Sequence, residues 1–271
     1  MRRMMAVMLL GIAGLSSAYG QRRPAGMQGS EYQSTNNDPL ARLNTFGVAP
    51  DSAATKTEGS GSVSVQELKV PEKALKEVRE SDKALLAGDL RKSTEHLEKA
   101  VAIDPDVAAW HNGLGSRYAA LKEYDEAIRE FEKAMELQRN YQEAQENLTA
   151  VLFEQRRYGE AEKAARRALE MDPSAASSQY LLGCVLVEEG HYAGEATKML
   201  EHAKPKYPQA GLFLAIALGK TGRIGEAEEA LREYVRAGGK SKKVAQEWLE
   251  ELEKRDEGGK KANEWMIADD E

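Results

Sequence analysis

The residue types that most often carry catalysis or bind metals are present in this chain, but not in the patterns that such chemistry needs. The four histidines lie far apart: His96, His111, His191 and His202. No two of them are four residues apart and no H-E-x-x-H motif occurs, so a zinc site is not predicted. Nucleophile-elbow, phosphate-loop and Rossmann motifs are also absent. We therefore predict no catalytic residue, no metal, no cofactor and no enzymatic activity.

Charge and cysteine content narrow the classes of partner. The chain has 45 acidic and 38 basic residues, a formal net charge of −7. An acidic chain without a basic cluster is not expected to bind nucleic acid, because phosphate contacts dominate that affinity. The carboxylates are expected on solvated helix faces, where no pocket would pair an acid with a base. The single cysteine, Cys184, excludes an internal disulfide and is expected to serve packing.

The elements that must position these residues repeat along the chain with a period close to 34 residues. One series of small residues marks the period: Ser93, Ala127, Ala161, Ala196 and Ala227. A second series follows it: Leu97, Phe131, Ala165, Leu200 and Leu231. Repetition at this period predicts a stacked helical array.

Each repeat contains two amphipathic segments. In the second repeat, residues 108–121 and 124–137 both place apolar residues at the i, i+3, i+4, i+7 spacing of a helix. Pro105 and Pro173 stand where a helix must stop, because proline lacks an N–H and clashes with the preceding turn. The pattern therefore predicts two helices per repeat.

These repeats resemble the tetratricopeptide repeat, whose pattern is W-x2-L-G-x2-Y, then A-x3-F, then P. The second repeat carries the resemblance best, in Trp110, Leu114, Gly115, Tyr118, Tyr124, Ala127, Phe131 and Ala134. The third repeat has Thr149 in the glycine position, and the fourth has one extra residue within 193–195. The resemblance implies an all-α, right-handed helical-hairpin solenoid of about five units with a C-terminal capping helix.

The N-terminus predicts export. Arg2 and Arg3 precede an apolar stretch, residues 5–15, and small residues follow at 16–20. This is the anatomy of a signal peptide, which we assign to residues 1–20 with cleavage after Ala18 or Gly20. The stretch is shorter than the roughly 20 residues of a membrane span. We expect a periplasmic or secreted mature chain without an integral membrane span; retention of the signal as an anchor stays open.

Three further segments complete the predicted organisation. Residues 21–67 are rich in small and polar residues and are expected to be a flexible linker. Residues 68–254 contain the repeats and the capping helix. Residues 255–271 form an acidic tail that we expect to be disordered, with a small apolar group at Trp265, Met266 and Ile267.

The family resemblance also implies where a partner binds, because the first helices of successive units line a concave face. The residues that it places there include Asn112, Ser116, Glu143, Glu146, Phe153, Tyr180, Cys184 and Glu188. The family's grip on a C-terminal carboxylate is not expected here, since Glu143 and Glu146 stand where basic residues would be needed. We expect a peptide or helix with basic and apolar residues. Binding on the convex face or the edges is the alternative.

The sequence thus favours a non-catalytic interaction scaffold or adaptor of the bacterial cell envelope. One alternative is a recruitment or regulatory subunit of an envelope enzyme. A weaker one is recognition of peptidoglycan or another glycan by Trp110, Tyr118 and Tyr180. The identity of the partner does not follow from the residues.

Overall fold

The computed structural model describes residues 70–238, 241–250 and 252–253. The predicted signal peptide at 1–20, the linker at 21–67 and the tail at 255–271 lie outside these residues. In the described part every regular element is an α-helix. This confirms the all-α fold class.

Ten helices follow one another in five pairs within the described residues. They are α1 (Glu72–Leu86), α2 (Leu90–Ile103), α3 (Ala108–Ala120), α4 (Tyr124–Leu137), α5 (Gln142–Glu154), α6 (Tyr158–Met171), α7 (Ala176–Glu188), α8 (Glu195–Ala203), α9 (Ala210–Lys220) and α10 (Ile224–Arg236). Each first helix packs on the second helix of its own pair. The predicted helical hairpins are therefore confirmed. The described helices belong to two compact units, α1–α6 in one and α7–α10 in the other.

The turn between the two helices of each pair has the same backbone form in all five pairs. One residue with a positive φ angle follows the first helix each time: Gly88, Lys122, Arg156, Gly190 and Gly222. The next residue donates its N–H back into the first helix, as His191 does to the Leu186 carbonyl at 2.8 Å. Left-handed residues end helices in this way because the turn satisfies carbonyls that the helix leaves unpaired. This repeated turn explains why each hairpin reverses within a few residues.

In the first unit, small residues allow α3 and α4 to approach closely. A Cβ atom on Gly115 would lie 2.8 Å from the Phe131 ring and 3.0 Å from the Ala127 carbonyl oxygen. Ala127 and Phe131 are both fully buried. The requirement for small residues at these positions is thus met by contact geometry.

The aromatic residue of the second repeat has a different register from the family pattern. Trp110 precedes Leu114 by four residues, whereas the pattern has three, so His111 occupies the tryptophan position. Trp110 instead packs in a cluster with Leu97, Ala100 and Val107, at the preceding pair of helices. Trp110 therefore joins two hairpins rather than closing its own.

The second unit has the same hairpins with one local change. The helix α8 has nine residues and begins after Gly194, which has a φ of 63°. The extra residue noted in the sequence is accommodated at this turn. Beyond α10, residues 242–250 are helical, and Glu253 pairs with Arg232 of α10 at 3.0 Å. This contact ties the last described helical residues to the final pair.

Candidate functional site

Asn112 lies between the first helices of two successive hairpins. Its Oδ1 accepts a hydrogen bond from Asn147 Nδ2 at 3.0 Å, and its side chain also hydrogen-bonds the Tyr141 hydroxyl. The partners are on α5 and immediately before it, while Asn112 is on α3. The buried amide therefore fixes α5 relative to α3.

Ser116 is one turn along α3 from Asn112 and shares its face. Its hydroxyl donates to the Asn112 carbonyl at 2.8 Å, within its own helix. Ser116 is buried. It contributes a small, smooth patch beside Asn112 rather than an accessible hydroxyl.

The start of α5 is acidic. Glu143 is exposed, whereas Glu146 is only 5% exposed and accepts a hydrogen bond from Gln142 Nε2 at 3.0 Å. Burial, followed by the charge of Glu143, raises the pKa of Tyr141 to about 12. A negative potential therefore surrounds this end of the helix.

The other end of α5 combines an aromatic ring with a third carboxylate. The Phe153 ring lies 5.6 Å from the Tyr158 ring at a tilt of 60°, and Phe153 is 9% exposed. Burial raises the pKa of Glu154, and the charge of Lys122 offsets this only in part. We call the surface of Asn112, Ser116, Glu143, Glu146 and Phe153 the α3–α5 face.

The second unit contains the other three predicted residues. The Tyr180 ring stacks on Tyr207 at 5.6 Å and meets Phe213 edge-on at 6.4 Å. Cys184 is a free, fully buried thiol, and Glu188 is half-buried at the end of α7. The aromatic cluster gives α7 a rigid setting because such pairs have preferred geometries.

The structure separates the eight predicted residues by accessibility. Glu143 and Glu188 present charge to solvent, while the other six are less than a tenth exposed. Asn112, Ser116 and Cys184 therefore shape the protein interior as well as any surface above them. Their role as partner contacts stays a prediction.

Sequence reasoning missed two polar residues of α3 that organise the first unit. His111 Nδ1 lies 2.6 Å from Glu130 Oε2, and its Nε2 lies 2.8 Å from the Pro105 carbonyl oxygen. Arg117 Nε donates to Ser93 Oγ at 2.9 Å, which links α3 to α2. The available signal was His111 in the tryptophan position of the repeat, where a polar residue needs buried partners.

Two searches of the described residues bear on other kinds of site. No group of three or more His, Cys, Asp or Glu side chains there could hold a metal ion. None of the helices in residues 70–238, 241–250 and 252–253 is both long and apolar enough to cross a bilayer.

Paired helices at a period near 34 residues define this chain as a helical-hairpin repeat protein. Two family models, both described as tetratricopeptide repeat, match residues 106–174 and 150–211. The chain therefore carries tetratricopeptide repeats. A search of curated proteins finds no significant match.

Solved structures show the same fold at low sequence identity. MamA from Desulfovibrio magneticus RS-1 is 18% identical, with a TM-score of 0.54 over 69% of this chain and 98% of that chain. Pseudomonas aeruginosa PilF is 24% identical, with a TM-score of 0.55 over 62% of this chain and 78% of that one. YrrB, a TPR protein with an unusual peptide-binding site, is 20% identical, with a TM-score of 0.51 over 64% and 89%.

Proposed function

We propose that this protein is a non-catalytic interaction module that binds a segment of a protein partner on the α3–α5 face. The observation that carries the proposal is the charge of α5. This helix contains Glu143, Glu146 and Glu154 and no lysine or arginine. A one-signed surface of this kind selects a partner of the opposite charge.

The chemistry of the face indicates what the partner segment contains. Glu143 is accessible to a long basic side chain, and Glu146 is a buried carboxylate that gains more from a cation than an exposed one does. Phe153 and the small Ser116 provide the apolar and smooth parts of the same face. The best fit is a peptide or helix with Lys or Arg beside an apolar anchor.

The fold supports this use of the face. YrrB is described as a TPR protein with an unusual peptide-binding site, and the two chains share the hairpin fold. Repeat arrays of this type expose extended surfaces that accommodate partner segments. We accordingly favour partner binding over catalysis as the function of the repeats.

We further propose that the protein acts in the cell envelope after export. The support is the N-terminal sequence: Arg2 and Arg3, then the apolar residues 5–15 and the small residues 16–20. Fusion of residues 1–30 to a reporter enzyme that is active only outside the cytoplasm tests this. Activity is expected, and its loss is expected when Leu9 and Leu10 are replaced by Arg. A reporter that stays inactive contradicts the proposal.

The binding proposal is tested with a partner captured from an envelope extract and then purified. Replacing Glu143 and Glu146 by Lys should slow its association and flatten the salt dependence, because rim charges act mainly on the on-rate. Phe153→Ala should speed dissociation, at a cost of about 1–2 kcal/mol. Surface-binding kinetics at several salt concentrations measure both effects.

The matched control replaces Glu132 and Glu136 by Lys, which gives the same charge change on an exposed part of α4. It should bind as the wild-type protein does at moderate salt. If the Glu143 and Glu146 variant and the Phe153 variant remain helical by circular dichroism and behave like this control, the partner binds elsewhere.

A further inference from the structure

A short stretch before the repeats has the chemistry that the α3–α5 face selects. Between residues 39 and 50, Arg42 is the only charged side chain. Leu40, Leu43 and Phe46 recur around it at every third position. The rest of the segment 21–67 has no comparable apolar cluster. This stretch therefore combines a basic residue with adjacent apolar anchors.

We propose that residues 39–48 of the same chain bind the α3–α5 face as an internal ligand and compete there with the external partner. Arg42 pairs with the carboxylates of Glu143 and Glu146, and Leu43 and Phe46 provide the apolar contact. The inference rests on the proposed function, because it assigns an occupant to the same face. It adds that the face is regulated by its own chain.

The chain is long enough for this contact. About 20 residues separate Val48 from Val70, where the described residues begin, and an extended chain spans roughly 3.3 Å per residue. The tether therefore reaches about 70 Å. The 13 residues of α5 span only about 20 Å at a rise of 1.5 Å each. Tether length does not restrict where on α5 the stretch binds.

Charge complementarity favours this stretch over the rest of the segment. Glu146 is buried and α5 has no basic residue of its own, so a cation from outside the helix compensates its carboxylates. The raised pKa of Glu154, which burial causes against the charge of Lys122, agrees with an under-compensated acidic helix. A guanidinium is well suited to this position because it stays charged and forks between two carboxylates.

A weak contact is sufficient for regulation when it is intramolecular. Effective concentrations for short flexible tethers are on the order of 1 mM. A stretch that binds with a Kd of about 0.1 mM would then lower the apparent affinity of an external ligand about tenfold. Loss of the contact should release the face by the same factor.

The test uses a fluorescent synthetic peptide of residues 37–50 as the external probe and the mature full chain as the receptor. Arg42→Glu in the chain should raise the affinity for the probe about tenfold, measured by fluorescence anisotropy. Lys56→Glu is the matched control, because it makes the same charge change in the same segment, and it should leave the affinity unchanged. Adding Glu143→Lys and Glu146→Lys to the Arg42 variant should abolish the gain.

Each other outcome overturns the internal ligand. If the probe binds the wild-type chain and the Arg42 variant equally well but depends on Glu143 and Glu146, the α3–α5 face binds ligands and is not self-occupied. An equal gain from Lys56→Glu would reflect net charge alone. If the probe binds no variant, residues 39–48 are not a ligand of this face, and the kinetics with the purified partner still decide the proposed function.

Discussion

At the scale of single residues, His111 shows how the repeat uses a polar side chain in a position that its family pattern gives to tryptophan. Its two ring nitrogens face the Glu130 carboxylate and the Pro105 carbonyl oxygen, and both of these groups only accept hydrogen bonds. Both contacts are therefore satisfied by the doubly protonated ring. Burial lowers the pKa of His111, but the bonds to Glu130 and Pro105 outweigh it, so the pKa lies above its ordinary value of 6.5.

This raised pKa predicts a stability change with pH. A group whose pKa is higher in the folded chain stabilises fully below its unfolded pKa and loses that contribution as the pH rises through its folded pKa. Urea-unfolding midpoints of wild-type and His111→Gln proteins at about pH 6 and about pH 9 measure this. The gap between the two should narrow at the higher pH.

The exposed His202 provides the control for this experiment. A His202→Gln variant should follow the wild-type protein at both pH values, because an exposed imidazole titrates alike in the folded and unfolded chain. A gap for His111→Gln that does not depend on pH would show that its hydrogen bonds do not involve the charged ring.

At the scale of the helix pair, stability depends on how closely the two helices approach. Gly115 and Gly183 occupy equivalent positions in α3 and α7, and each faces a large apolar side chain of the second helix. A Cβ atom at Gly183 would lie 2.6 Å from Leu200, closer than van der Waals contact allows. Glycine is therefore required there by space rather than by backbone conformation.

Two glycine substitutions should accordingly have opposite effects. Gly183→Ala should lower the free energy of unfolding by about 1–3 kcal/mol through overpacking. Gly225→Ala in α10, where no atom lies within 4 Å of the added Cβ, should raise it by about 0.5–1 kcal/mol because alanine favours the helix. Chemical denaturation measures both. Destabilisation by both variants would show that the effect does not come from the Leu200 contact.

At the scale of the whole molecule, the helix pairs are coupled mainly to their neighbours along the chain. Ala127 lies at the contact of α3 with α4 and is fully buried. In such an array a local change in stability decays with distance along the repeats. Long-range cooperativity then depends on the interfaces between successive pairs.

Ala127→Leu tests this nearest-neighbour behaviour. The substitution should destabilise its repeat by about 1–3 kcal/mol, since the added side chain overpacks a closed contact. Hydrogen exchange should show the largest loss of protection in α3–α6 and a smaller loss in α9 and α10. Uniform loss throughout the described helices, or none, would contradict the prediction.

Much of the local structure follows from the sequence at this scale, and particular elements show why. The predicted helix at 124–137 agrees with α4 (Tyr124–Leu137), because its apolar residues repeat at helical spacing. The extra residue near 194 was also visible from the repeat period, and it precedes α8. The register of Trp110 was not, because a one-residue shift within a helix still places an aromatic ring near the core.

The candidate site was less accessible to sequence reasoning. Family geometry pointed to Asn112 and Glu146 as surface residues, yet the structure buries both. Helical periodicity assigns a residue to a face, but burial depends on which other side chains cover that face. Glu143, at the exposed start of α5, is the residue of the α3–α5 face whose accessibility agrees with its predicted role.

The sequence by itself determined the repeat period, the helix pairs and the positions that must stay small. These depend on local periodicity and on residue size, which a linear pattern records directly. Only the tertiary structure decided how buried polar groups find partners. Asn112 and Asn147 are 35 residues apart and Arg117 and Ser93 are 24 apart. Such bonds form only when packing brings separate helices together, so no spacing within one helix could predict them.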